Sequence, residues 1–266
     1  MQDLLFNLSA LVALVPAVLI GLRREGSRDG AFWLALAVAL AGPSAWVIAQ
    51  TGGAWRTGFS STLWVTVTAS LIVFIVACVA TSQAWRLLPL AAPYLLMVGV
   101  LATIWQHAPG GEAVRSVAAT AWVHLHILVS VATYALVSVA AIAALGAFVQ
   151  ERALKRKRLS ALSRRLPPVA DCESLVVKLL ALGEAVLALG MISGMAMQYA
   201  QSGDLLVFDH KTVLAVAAFL VIGGLLIAHY RTGVRGRGAA RIVLLAYLLL
   251  TLGYPGVKFV TSILLS

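Results

Sequence analysis

The stretch Trp122–Val149, "WVHLHILVSVATYALVSVAAIAALGAFV", carries two histidines near its start and then no charged side chain until the basic segment "ERALKRKRLSALSRR" at 151–165. A helix needs about 20 predominantly apolar residues to cross the hydrocarbon core of a bilayer, and this run exceeds that length. Its apolar residues are continuous rather than alternating, so it does not read as a strand of a membrane barrel. It reads as a transmembrane helix with a cationic anchor at one end, and that reading governs the rest of the chain.

Runs of the same kind recur at about 3–22, 31–50, 60–83, 87–106, 121–149, 174–200, 210–230 and 240–264, eight in all. With 61% hydrophobic and 11% charged residues and a mean hydropathy of +0.97, the chain has too little polar surface for a soluble globule. The expected fold is all-α: a polytopic membrane bundle of eight transmembrane helices, with residues 1–266 forming a single transmembrane domain. The opening "MQD" lacks the basic segment of a secretory signal, so the first run is expected to be a retained helix.

The formal charge of +10 does not point to nucleic acid, because the cations sit in short connections between apolar runs. One set of connections holds fifteen of them: Arg23, Arg24, Arg28, Arg86, Arg152, Lys155, Arg156, Lys157, Arg158, Arg164, Arg165, Arg231, Arg235, Arg237 and Arg241. The alternate set has Arg56 and Arg115, with Lys211 and Lys258 near the same face. The positive-inside rule then predicts both termini outside and the basic loops in the cytoplasm, facing membrane lipid. Trp46, Trp55, Trp64, Trp105 and Trp122 fall toward the outer end, as an aromatic belt or as a face for a membrane-protein partner.

Cofactor motifs are scarce. Cys78 lies in the third run and Cys172 in a cytoplasmic loop, so they are not expected to meet, and no CxxC, CxxCH, P-loop, GxGxxG or HExxH pattern occurs. The glycines of "RTGVRGRGAAR" belong to a basic hairpin that reads as a lipid-facing turn, with phosphate binding as the alternative. Prolines 16, 43, 89 and 93 are expected to bend helices one, two and four, and "GMISG" gives helix six a small-residue face. Glu184 falls near mid-membrane, where an acid suggests either a functional contact or an internal hydrogen bond.

Five histidines remain. His107 lies in an outer connection; His124 and His126 open helix five; His210 opens helix seven; His229 closes it, 19 residues and about 29 Å later. Residues two apart on a helix point about 200° from one another, so His124 and His126 cannot share a face. His126 and His210 stand at matched depth and could hold one planar cofactor between them, a heme whose propionates would meet Lys211, Arg115 or Lys258. An interfacial role without ligand is the alternative for both, and for His107, His124 and His229 it is the favoured one.

The segment "WVHLHILVSVATYALVSVAAIAAL" resembles the "WLxxHVxxxxxSYA" pattern of the cytochrome c assembly proteins, the membrane heme handlers. "LLALGEAVLALGMISGMAM", "DHKTVLAVAAFLVIGGLLIAHYR" and "LLTLGYPGVKFV" follow that family's order of helix, loop, helix, basic turn and last helix. The resemblance spans residues 60–264 and is strongest to the short YpjD/HemX-like inner-membrane branch; residues 1–59 carry no such signature. It implies a multi-pass protein of the bacterial inner membrane that binds heme b on the periplasmic side. By position His126 matches the family's outward-facing heme-ligand histidine, His210 with Lys211 falls at the end of its tryptophan-rich loop, and His229 matches the histidine before the basic turn. The loop "QYAQSGDLLVFDHK" has no tryptophan, and no histidine follows the last helix before Ser266. These departures argue against formation of the cytochrome c thioether bond, and no catalytic residue is assigned. Two other classes stay open: a small-molecule or ion transporter coupled through Glu184, and an accessory membrane subunit.

Overall fold

The computed structural model describes residues 2–23, 28–51, 58–106, 120–158, 160–203 and 209–260. His107, Arg115, Arg24, Trp55 and Arg56 lie outside the described residues, and of Lys258 only the backbone is described. The helices are α1 (Gln2–Arg23), α2 (Gly30–Thr51), α3 (Phe59–Ala80), α4 (Leu88–Ile104), α5 (Thr120–Lys155), α6 (Ala161–Arg165), α7 (Val169–Ser202), α8 (His210–Thr232), α9 (Gly236–Thr251) and α10 (Val257–Phe259). A 3₁₀ turn (Ala84–Leu87) precedes α4, and a π turn (Leu252–Gly256) joins α9 to α10. Among the described residues there are eight helices long and apolar enough to cross a membrane, and no strand. The eight expected runs each fall on one of them.

The spanning helices form two four-helix bundles. In the first, α1 packs on α2, α2 on α3, α3 on α4, and α4 back on α1. In the second, α5 packs on α7, α7 on α8, α8 on α9, and α9 back on α5. The two meet chiefly through α3 and α5. The first bundle is filled: Trp64, Phe32, Phe74 and Leu36 are almost wholly buried, and Trp64 Nε1 donates to Asn7 Oδ1 at 2.6 Å across the α1/α3 seam. Gly42 and Gly21 let α1 approach α2 and α4 closely, a Cβ at Gly21 lying 3.2 Å from the Leu88 backbone. In the second bundle the expected small-residue face is real: Gly190 and Gly194 of α7 lie against Val129 and His126 of α5. Pro16, Pro43 and Pro93 sit inside their helices. Pro89 sits in the first turn of α4, where a missing N–H leaves no hydrogen bond unmade.

Contacts between helix ends sort the molecule into two faces. On one, Trp46 pairs with Trp64, Phe59 with Trp105 and Phe259, and Trp122 Nε1 donates to Ser193 O. Trp46 and Trp64 are buried within the first bundle rather than turned outward. On the other face, Arg86 donates to the carbonyls of Arg165 and Arg164, each at 3.0 Å, and so caps α6, while Arg165 donates to Leu22 O. Here Cys172 is buried in the first turn of α7, not in a loop as the apolar run suggested, because that helix begins at Val169. Both cysteines are free. The glycine-rich hairpin is occupied by the protein's own carboxylate: Gly236 N–H, at the start of α9, donates to Glu173 Oε1 at 2.7 Å. An acid at a helix N-terminus satisfies the same groups a phosphate would, which favours the structural reading of that turn.

Candidate ligand cavity

The second bundle is not filled. Between α5, α7, α8 and α9 lies a cavity of about 610 Å³, in the range of small-molecule and cofactor sites, about 300–1,000 Å³. From α5 it is lined by His126, Ser130, Thr133 and Tyr134, whose spacing of four, three and one residues places them along one helical face. Facing elements supply Met191, Met195 and Gln198 from α7, Lys211 and Thr212 from α8, and Gly253 and Tyr254 from the π turn after α9.

His126 is held by a hydrogen bond to the facing helix. Its Nδ1 lies 2.8 Å from Ser193 Oγ, and Ser193 Oγ donates its single proton to Gly190 O at 2.9 Å. With the serine proton on Gly190 O, the serine oxygen accepts from Nδ1–H and Nε2 is left with its lone pair. This is the arrangement of a metal-ligating histidine oriented by a second hydrogen bond. Gly194 makes the seat: a Cβ there would lie 3.1 Å from His126 Cε1.

At the mouth, Asp209 caps α8, its Oδ1 accepting the Thr212 N–H at 2.7 Å. Desolvation alone would raise its carboxyl, but the hydrogen bonds from Thr212 and the neighbouring Lys211 and His210 hold it below its ordinary value. A depressed carboxyl stabilises the fold above its unfolded pKa and loses that contribution as the pH falls through the folded one. Asp209→Ala should thus cost about 1 kcal/mol near neutral pH and progressively less on acidification, read from thermal unfolding in detergent. Lys211 lines the cavity; His210, its neighbour, is exposed on the first turn of α8, and the wall there is formed by Asp209, Lys211 and Thr212.

Tyr134, on the cavity wall, belongs to a tyrosine network. Tyr94 of α4 and Tyr247 of α9 share a 2.9 Å hydrogen bond, Tyr134 donates to Tyr247 at 3.3 Å, and Tyr134 lies 3.0 Å from Thr251 Oγ1. Tyr94 belongs to the first bundle and Tyr134 to the second, so the hub, Tyr247, ties the two together. Tyr247→Phe should lower stability by about 1 kcal/mol, seen as a lower unfolding midpoint with unchanged helix content by circular dichroism. Tyr134, Tyr254 and Ser193 were not singled out from sequence. The signal was present for Tyr134, since Ser130, Thr133 and Tyr134 continue the His126 face of α5; Ser193 and Tyr254 come into play only once the helices are packed.

The other expected residues lie apart. His124 is exposed. His229 Nδ1 donates to Val234 O at 3.1 Å and closes the C-terminus of α8. Glu184 is at the α7/α8 contact, where its Oε1 would be 2.8 Å from a Cβ at Gly223 and its Oε2 is buried without a partner among the described residues. No cluster of three histidine, cysteine or acidic ligands occurs among the described residues, so the cavity offers one imidazole rather than a bare-ion cage.

Comparison with known proteins agrees with this architecture. The Cytochrome C assembly protein family matches residues 33–265. An uncharacterized 28.8 kDa protein of a nifR3-like 5′ region in Azospirillum brasilense is 53% identical over 269 residues, covering 99% of each chain. The inner membrane protein YpjD of Escherichia coli K12 is 28% identical over 199 residues, 73% of this chain and 72% of its own. Protein HemX of Brevibacillus brevis is 27% identical over 151 residues, 57% and 55% of the two chains. No solved structure matches significantly. With eight spanning helices, a match over most of its length and an inner-membrane relative, this chain belongs to the Cytochrome C assembly protein family as a multi-pass inner-membrane member.

Proposed function

We propose that this protein handles heme, binding heme b in the cavity of the second bundle through His126. The observation that carries the reading is the imidazole of His126, hydrogen-bonded through Nδ1 to Ser193, on the wall of a cavity of cofactor size. Heme would supply an iron with two axial positions and two propionate carboxylates. His126 Nε2 suits the iron, and Lys211 at the mouth suits a propionate, with Arg115 and Lys258 as further cations expected at that level from the sequence. His210, exposed beside Lys211, fits the propionate end of the site better than the iron. The fifteen cations that the sequence gathers in the alternate connections support a cytoplasmic location for those connections, and with it a periplasmic side for both termini and the cavity mouth.

Holding heme is the whole of the proposed chemistry: the loop before α8 lacks the tryptophans with which the longer relatives present heme for thioether formation. Hemin titrated into the purified protein in detergent should saturate at one equivalent, and Lys211→Ala should weaken binding several-fold while leaving the spectrum of the bound form unchanged. Unsaturable uptake, or none, contradicts the reading. Glu184 is outside the cavity wall, and Glu184→Gln should leave hemin binding intact; proton-coupled flux lost in that variant would instead favour the transporter.

A further inference from the structure

We propose that a cleft between the α3–α4 turn and the start of α7 binds the head group of phosphatidylethanolamine from the cytoplasmic leaflet, with Lys178 on the phosphate and Asp171 on the ammonium. The inference is independent of the heme reading, and no residue lines both this cleft and the cavity of His126.

The cleft has a volume of about 270 Å³, just below the range of about 300–1,000 Å³ in which cofactor-sized ligands bind. Ser82 and Gln83 line it from the turn after α3, and Asp171, Ser174 and Lys178 from the first three turns of α7. Asp171 is the one acid and Lys178 the one base among its lining residues, and neither is in a salt bridge among the described residues. Neighbouring charges are engaged elsewhere: Arg86 donates to the carbonyls of Arg164 and Arg165, and Glu173 accepts the Gly236 N–H. A neutral cleft holding one separated charge of each sign complements a zwitterion better than an anion.

Spacing and order identify the zwitterion. Asp171 and Lys178 are seven residues apart, so they lie on nearly the same face of α7 and about 10 Å apart along its axis, too far to pair with each other. In ethanolamine phosphate the nitrogen and phosphorus are about 5 Å apart, and a charge-assisted hydrogen bond of about 2.8 Å at each end makes the whole span match that separation. Ser174, between the two charges, offers a hydroxyl to the phosphate. With 34 residues, α7 is about 51 Å long at 1.5 Å per residue, against a hydrocarbon core of about 30 Å. Its first turns therefore stand at head-group depth, and the Lys178 ammonium, entering the core, reaches back to the phosphates. In the lipid the phosphate is next to the glycerol and the amine is farther out, which is the order of Lys178 and Asp171 along α7.

The surface below the cleft suits acyl chains. Leu182, one turn deeper on the Lys178 face of α7, and Val76, one turn deeper than Ala80 on α3, are both exposed. Phosphatidylglycerol would satisfy Lys178 but has no cation for Asp171. Phosphatidylcholine has the cation but no N–H to donate to a carboxylate.

The test uses the full-length protein, stripped of lipid in detergent and titrated with each lipid at matched chain length, with bound lipid counted by native mass spectrometry and the unfolding midpoint read in parallel. Phosphatidylethanolamine should bind at one site per chain, raise the midpoint, and be preferred over phosphatidylcholine and phosphatidylglycerol by about two- to five-fold, as expected for a partly exposed charge pair. Asp171→Asn should abolish that preference while keeping phosphate-dependent binding, and Lys178→Met should weaken all three lipids. Wild type that binds the three lipids equally, or prefers phosphatidylglycerol, overturns the proposal without recourse to a variant. A folded Asp171→Asn protein with the wild-type preference also overturns it. Soluble O-phosphoethanolamine should bind far more weakly than the lipid; equal affinity would overturn the lipid as the ligand.

Discussion

His126→Ala should abolish high-affinity hemin binding, with a loss of about 100-fold or more, while the protein remains folded. The side chain is only partly buried, and its removal leaves Ser193 Oγ still donating to Gly190 O, so no orphaned donor is created at the α5/α7 seam. Ser193→Ala should have a graded effect. The imidazole keeps its place over Gly194, but nothing then fixes its proton on Nδ1. Loss of such an orienting partner typically costs 10–100-fold in metal affinity. Equal affinities for wild type, His126→Ala and Ser193→Ala would remove His126 from the site. A measurable check on the seat itself is Gly194→Val, which should displace the ring and behave like a weakened His126→Ala.

The largest effect on stability is expected at Gly42→Leu. A Cβ at this position collides with Ala13 Cβ and comes within 3.2 Å of Ala10 Cα and 3.4 Å of Ala10 O. Neither an alanine methyl nor a helix backbone can yield by changing rotamer, so α1 and α2 must separate. Overpacking of a close seam typically costs about 1–3 kcal/mol, and here the damage falls on the first bundle, away from the cavity lined by His126. The thermal midpoint in detergent should drop, and hemin binding per folded molecule should stay as in the wild type. A Gly42→Leu protein as stable as the wild type would show that the α1/α2 seam is looser than described.

Much of this fold was legible in the sequence, for a physical reason. The bilayer sets a length that apolar runs must meet, so Trp122–Val149 and its seven counterparts could be placed without knowing their neighbours. The division into two four-helix bundles could not, because it depends on contacts such as Trp64 with Asn7 and Tyr94 with Tyr247, 57 and 153 residues apart. The site divides the same way. His126 was separable from His124 by rotation about a single helix. His210 was paired with it on depth alone; depth says nothing of rotation, and packing turned Lys211 rather than His210 to the cavity. Tyr254 was inside a stretch already noticed, "LLTLGYPGVKFV", but its exposure to the cavity depends on the π turn and on helices brought up from elsewhere in the chain.

The account turns on whether this protein holds heme in the second bundle, and the most direct measurement is the absorption spectrum, oxidised and reduced, of wild-type protein purified from heme-replete cells and again after addition of hemin. A Soret band with a shift on reduction, near one heme per chain after addition and absent from His126→Ala, is the predicted result. Wild-type protein that is folded and colourless and does not take up added hemin would contradict it.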